Sequence, residues 1–258
     1  MVQRDILEIH QFPCLNDNYG YLVHEPTSGA TAAIDTPEVE PILKALDEKG
    51  WRLTHILNTH HHYDHAGGNE ALKAATGCQI IGPKNEAAKI PGIDLPVGEG
   101  DEVTLGAVTA QVLDVPGHTA GHIAYYFAEA GVAFVGDTLF ALGCGRLFEG
   151  TPEQMWTSLQ KLMALPDDTV VYCAHEYTQA NARFALSVEP ENAALVTRAK
   201  EIDAARAAGR PTVPTTIGLE KATNPFLRPM SPDLQAHVAA SGSLVDVFAE
   251  TRARKDRF

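Results

Sequence analysis

Leu57-Asn58-Thr59-His60-His61-His62-Tyr63-Asp64-His65-Ala66-Gly67-Gly68 is the stretch on which the reading of this chain turns. No other segment packs so many metal-binding side chains into so few residues. It follows a short apolar run, Leu53 to Asn58, that reads as a strand, so the cluster is delivered into a loop with a sheet behind it. His60 and His62 stand two apart, and in an extended segment both imidazoles project from the same side. Asp64 and His65 follow at once, and a turn at Gly67-Gly68 would fold this second pair toward a second ion. Imidazole nitrogen with carboxylate oxygen, and no cysteine, suits zinc, iron or manganese in hydrolytic or oxygen-handling chemistry rather than in a structural clip.

Working outward, three other strand ends carry ligand-type residues. Val112–Val115 runs into His118, Ala133–Val135 into Asp137, and Val170–Cys173 into His175. Each alone is open to a bland reading as a loop histidine, a turn-capping aspartate or a buried histidine. Together with the His60 cluster they complete a set of five His and two Asp, which is what two ions sharing a bridging carboxylate require.

The rest of the chain alternates strands and helices and then turns helical. Strands are expected at 6–12, 18–24 and 31–35 as an antiparallel start, then at 79–82, 102–105, 108–115, 123–128, 132–136 and 170–173. Helices are expected at 38–49, between Pro37 and Gly50, at 69–76 with Asn69 as cap, and at 152–164. Beyond His175 the pattern is helical at 178–187, 191–208 and 243–255, with a Pro-rich stretch at 211–232. This order predicts a sheet-based α/β domain over 1–175 and a smaller helical domain over 176–258.

Composition narrows the function. With 258 residues, 45% hydrophobic and 21% charged, the chain has the make-up of a globular protein with a full core. The formal charge of −13 argues against nucleic acid or an anionic membrane as main partner. No signal pattern or spanning run is seen, so a cytoplasmic location is expected. Cys14, Cys78, Cys144 and Cys173 are scattered and read as reduced, packed thiols. Against the acidic trend, Arg252, Arg254, Lys255 and Arg257 crowd the last seven residues, either as charge complementing a helix end or as a local anion site.

The spacing His60-x-His62-x-Asp64-His65, then His118, Asp137 and His175, resembles the signature of the metallo-β-lactamase superfamily. Within it the chain is similar to the glyoxalase II (hydroxyacylglutathione hydrolase) branch, through Gly143-Cys144-Gly145-Arg146-Leu147-Phe148-Glu149-Gly150-Thr151, Ala174-His175-Glu176-Tyr177-Thr178, Asn224-Pro225-Phe226-Leu227-Arg228 and Arg254-Lys255-Asp256-Arg257-Phe258. The resemblance implies an αββα sandwich followed by the helical domain. It also implies two divalent ions, zinc foremost with iron or manganese also suited. His60, His62 and His118 would hold one, Asp64, His65 and His175 the other, with Asp137 and a hydroxide bridging.

The implied reaction is hydrolysis of S-D-lactoylglutathione to glutathione and D-lactate, the second step of methylglyoxal detoxification, with Asp64 and Asp137 as the catalytic carboxylates. Substrate contacts would come from Arg146, Phe148, Tyr177, Arg252 and Lys255, on a protein expected to be monomeric. Phe148 departs from family members that carry Tyr there. His61 is expected to face solvent or support the ligands from behind, and His122 to brace the site by hydrogen bonding. The alternative within the superfamily is a persulfide dioxygenase using a single iron, against which the intact Asp64, His65 and His175 set speaks.

Overall fold

A computed structural model describes residues 6–239 and 242–258. Residues 1–5, part of the N-terminal stretch read above as lacking a signal, lie outside the described residues. The chain divides into two compact units, Met1–Asp114 with Ala120–Gly136, and Val115–Thr119 with Asp137–Phe258.

The first unit opens with β1 (Glu8–Cys14), β2 (Asn18–Glu25) and β3 (Ala30–Ile34), an antiparallel meander. After α1 (Val39–Lys49) the sheet continues in parallel fashion through β4 (His55–Leu57). Next come α2 (Tyr63–Ala66), α3 (Asn69–Thr76), β5 (Gln79–Pro83) and β6 (Leu95–Val97). Helix α1 buries Ile42, Ala45 and Leu46, the i, i+3, i+4 stripe of an amphipathic helix. It stops at Gly50, whose left-handed backbone returns its N–H to the carbonyls of Asp47 and Leu46. That stripe joins Leu22, Ala33, Leu53, Ile56, Leu72 and Ile80 in one core cluster.

The unit's second sheet is antiparallel: β7 (Glu102–Leu105), β8 (Val108–Asp114), β9 (Ile123–Phe127) and β10 (Val132–Gly136). Every residue of β9 and β10 is buried, hence their near-continuous apolar sequence. Tyr21 meets Phe134 edge-on at 5.6 Å, and the Tyr125 hydroxyl donates to the Asn58 carbonyl at 2.9 Å, tying one sheet to the other. Because β3 and β4 run parallel, Asp35 and the loop after Leu57 leave the sheet at the same edge, where parallel strands present their functional groups.

The second unit begins, after Asp137, with the hairpin of β11 (Leu139–Phe140) and β12 (Gly143–Cys144). Helix α4 (Pro152–Met163) follows, opened by a Thr151/Gln154 capping box and Pro152. Then come β13 (Val170–Cys173), α5 (Thr178–Val188) and α6 (Ala193–Ala207), the two helices meeting through Ala182, Ala185, Leu195, Ala199 and Ile202. Strand β14 (Thr215–Thr216), α7 (Ile217–Thr223), α8 (Pro232–Val238) and α9 (Leu244–Arg257) complete it.

Two local expectations are corrected. Asp64 and His65 lie on the single turn of α2 rather than in an extended loop. Asn69 does not cap α3; Gly68 holds that place, and the Asn69 amide instead bonds Thr36, Asn58 and the Pro91 carbonyl. The Pro-rich 211–232 stretch holds β14, α7 and the start of α8, whose N-caps Thr216 and Ser231 accept from Leu219 and Leu234. Among the described residues no helix is long and apolar enough to cross a membrane.

Candidate metal centre and substrate site

The first unit supplies four of the expected ligands. Asp35, buried at the end of β3, accepts from the Thr59 backbone N–H at 2.7 Å, the Thr59 hydroxyl at 2.8 Å and His65 Nδ1 at 2.9 Å. With Nδ1 as donor, a neutral His65 carries its lone pair on Nε2. That atom lies 3.4 Å from Asp64 Oδ2, and Asn18 holds the same carboxylate through its amide at 3.1 Å. His60 is oriented in a similar way. The Thr59 hydroxyl gives its hydrogen to Asp35, so its oxygen accepts from His60 Nδ1 at 3.0 Å and leaves Nε2 as the acceptor. His60 Nε2 is 3.0 Å from His62 Nδ1.

The neighbours of these ligands have separate jobs. His61 is turned onto Glu86, which accepts from its backbone N–H at 2.9 Å and its Nδ1 at 2.7 Å, and also from the Gly121 N–H at 2.8 Å. It thus ties the His60–His62 segment to Glu86 and Gly121. His122 stacks on the His60 ring, with centroids 4.6 Å apart. At Gly136, with φ +50, a side chain would strike Thr59 and the His122 ring, so only glycine fits there.

The second unit supplies the other three. His118 Nδ1 donates to the Arg146 carbonyl at 2.9 Å, and its Nε2 lies 3.4 Å from Asp137 Oδ2. His175 Nε2 lies 3.3 Å from Asp137 Oδ1. One buried carboxylate therefore presents each oxygen to a different imidazole. A Cβ at Gly145 would overlap the Asp137 carbonyl and crowd His118.

This donor chemistry fits divalent ions. A carbonyl can only accept, so a neutral His118 has its lone pair on Nε2, facing a carboxylate oxygen. Two acceptors facing each other at 3.4 Å repel unless a cation sits with them. The His65–Asp64 pair has the same character.

The second unit also gathers the expected substrate residues. Arg252 is buried and donates to the Cys144 carbonyl at 2.8 Å and to Asp256 at 3.1 Å. Lys255 is half-buried, its ammonium over the Phe184 and Phe258 rings at 5.4 and 5.6 Å. Burial, then Arg252, Arg183 and Arg146, lower its pKa to about 8. Arg146 lies 4.0 Å from Asp256. Phe148 is exposed and meets the His118 ring at 5.2 Å. Tyr177 stacks on His175 at 4.7 Å with the rings 1° from parallel. Burial pushes the Cys144 thiol up to about 11, in keeping with packing rather than nucleophilic use.

A profile of the metallo-β-lactamase superfamily matches residues 25–175, and one of the hydroxyacylglutathione hydrolase C-terminus matches residues 176–258. A hydroxyacylglutathione hydrolase of Methylococcus capsulatus is 58% identical over 98% of this chain and 99% of its own length. The chain belongs to the hydroxyacylglutathione hydrolase family.

Two solved structures show the fold of this family's superfamily. ETHE1 from Myxococcus xanthus superposes with a TM-score of 0.67 at 28% identity, over 96% of this chain and 98% of its own. TTHA1623 in a di-iron-bound form gives 0.62 at 27% identity, over 85% and 100%. The chain thus has the metallo-β-lactamase fold followed by the helical hydroxyacylglutathione hydrolase C-terminus, with the His/Asp clusters of a divalent-metal hydrolase.

Within this family member, reasoning from sequence missed the residues that bond the expected ligands and their neighbour His61. Asp35, Glu86 and Asn18 orient His65, His61 and Asp64, and Asp256 and Arg183 belong to the charge cluster around Lys255. Asp35 left one signal, an acid directly after the buried strand Ala30–Ile34. The others are known only by their partners in space.

Proposed function

We propose that the chain hydrolyses S-D-lactoylglutathione, and more broadly 2-hydroxyacyl glutathione thioesters, to glutathione and the hydroxy acid, with two divalent ions per chain. His60, His62 and His118 would hold one ion, Asp64, His65 and His175 the other, and Asp137 would bridge. The observation that carries this reading is the Asp137 carboxylate with an imidazole nitrogen at each oxygen, at 3.4 and 3.3 Å. The naming of TTHA1623 as di-iron-bound supports a pair of ions. Zinc is the first choice for occupancy, and iron or manganese also suit the donors.

Divalent ions supply a water-derived nucleophile at neutral pH and polarise the acyl carbonyl. The chain's own residues do the rest. Asp35, Thr59 and the Arg146 carbonyl fix which nitrogen of His65, His60 and His118 faces inward. Arg146 and Lys255 attract the glutathione carboxylates, Tyr177 and Phe148 contact the tripeptide, and Arg252 shapes this region through Cys144 and Asp256. The leaving thiolate has a conjugate acid of pKa about 8.5, so no strong protein acid is needed to expel it. In this reading 1–175 is the catalytic domain and 176–258 the substrate domain of a cytoplasmic monomer.

The test is loss of thioester from S-D-lactoylglutathione by the purified protein, before and after chelation, with metal assayed on the same sample. Chelator-sensitive hydrolysis by a chain holding two ions is the expected result. A fully metallated protein that leaves the thioester intact would overturn the reading, and oxygen uptake with glutathione persulfide would then be the measurement to make.

A further inference from the structure

The β11–β12 hairpin spans the chain between Asp137 and Arg146, and side chains from the helices grip its backbone. Asn181 donates to the Ala141 carbonyl at 3.1 Å, Glu220 accepts from the Leu142 N–H at 2.8 Å, and Arg252 donates to the Cys144 carbonyl at 2.8 Å. Asn224 makes two such bonds, from its amide to the carbonyls of Phe140 at 3.1 Å and Gly143 at 3.0 Å. Leu142 at the tip has φ +59, a conformation that a non-glycine residue keeps only when its surroundings enforce it.

Asn224 suits this place for a chemical reason. It is fully buried, and its nitrogen faces two carbonyls and the Glu220 carboxylate at 2.9 Å, while its oxygen accepts from the Phe226 N–H at 3.0 Å. Only a side chain with donors at one end and an acceptor at the other meets that set. Glu220 is in turn held by Arg198 and Thr215. The Asn224-Pro225-Phe226 motif, conspicuous in the sequence without a role, thus has one.

The hairpin carries Phe140 toward the chemistry. Its buried ring stands edge-on to His175 at 5.9 Å and to Tyr177 at 5.3 Å, at 78° to each. Those two rings are stacked on one another, so Phe140 abuts both members of the stack at once. We propose that Asn224 is a positioning residue: by holding the Phe140 and Gly143 carbonyls it sets the Phe140 ring, and through it both the His175 imidazole and the Tyr177 phenol. The proposal rests on the reading of His175 as a metal ligand and Tyr177 as a substrate contact. Metal retention and substrate affinity should then change together when the hairpin is loosened, although Asn224 touches neither.

Three variants test this. Asn224→Asp keeps the shape and removes the donors. Phe140→Leu removes the ring while leaving the buried polar network intact, and decides the matter if Asn224→Asp does not fold. Phe127→Leu is the control, a buried ring packed edge-on against Phe134 in the first unit. Each would be compared with wild type in thermal midpoint, in zinc retained against a graded chelator, and in KM and kcat for S-D-lactoylglutathione. The expected result is zinc affinity weakened about tenfold or more, together with a raised KM, in the Asn224 and Phe140 variants. Phe127→Leu should lose thermal stability alone. If Phe140→Leu changes only its thermal midpoint, or only one of zinc retention and KM, the proposal is overturned. Zinc retention is read without substrate, so it stands apart from the question of activity, which wild type answers.

Discussion

His118 and Asp137 face each other across 3.4 Å, imidazole Nε2 against carboxylate Oδ2, while the far nitrogen of the ring is held by the Arg146 carbonyl. The same carboxylate meets His175 through its other oxygen, so Asp137 cannot be replaced by a group with one charge-bearing atom fewer. Asp137→Ala should lower kcat at least about a hundredfold, since even residues behind the ligands are worth 10–100-fold. It should also release metal. Wild-type turnover and metal content in this variant would sink the two-ion reading.

Asp35 offers a gentler probe. Its carboxylate takes three hydrogen bonds, one of them from His65 Nδ1, and so fixes the tautomer of that ring. Asp35→Asn preserves the size but removes the charge. The expected cost is about 10–100-fold in metal affinity or activity, read by chelator competition. An unchanged affinity would mean that Asp35 serves the fold alone.

These two residues mark what local sequence can single out and where it stops. Asp137 stands out as a candidate because it follows an apolar strand in a chain rich in His and Asp at strand ends, and most helices and strands fall within a residue or two of their expected bounds. That is period and punctuation, which local sequence carries. Asp35 acts through His65, thirty positions away, and no pattern of neighbours announces that bond. Asn69 shows the same limit from the other side: its local cue was a helix cap, but burial with Asn58 and Thr36 took the amide elsewhere. The 211–232 stretch was opaque because its prolines obscured Thr216 and Ser231, whose capping hydroxyls start α7 and α8.

Phe148 should be improvable. Its exposed ring lies against His118, at a position proposed to contact glutathione, and it lacks a hydroxyl. One added hydrogen bond contributes about 1 kcal/mol, or about fivefold. Phe148→Tyr should therefore lower KM by about that factor with kcat nearly unchanged, measured with S-D-lactoylglutathione. A KM that does not fall removes Phe148 from the binding surface.

Metal removal should unsettle the fold as well as the chemistry. Without a cation the Nε2 atoms of neutral His118 and His65 rings face carboxylates as acceptor against acceptor, and an ion bound only to the folded chain adds about 2.7 kcal/mol when free metal is a hundred times its Kd. The chelated protein should melt at a lower temperature and recover both midpoint and turnover on addition of zinc. Equal midpoints with and without metal would count against ions bound by these residues.

Lys255 gives the pH dependence a sign. Burial and the cations Arg252, Arg183 and Arg146 lower its pKa from 10.5 to about 8. Below that pH the ammonium is charged and attracts an anionic thioester; as pH rises through about 8 the charge is lost and KM should climb. Stability moves the opposite way. Between about 8 and 10.5 the unfolded chain binds the proton more readily than the folded one, so this group's contribution to stability rises with pH across that window. Lys255→Arg keeps its charge throughout, and should flatten the alkaline rise in KM, while Lys255→Met should show a high KM at every pH. The decisive measurement is KM against pH for the three proteins, on a substrate that keeps its charge. An alkaline rise that persists unchanged in Lys255→Arg would assign it to another group.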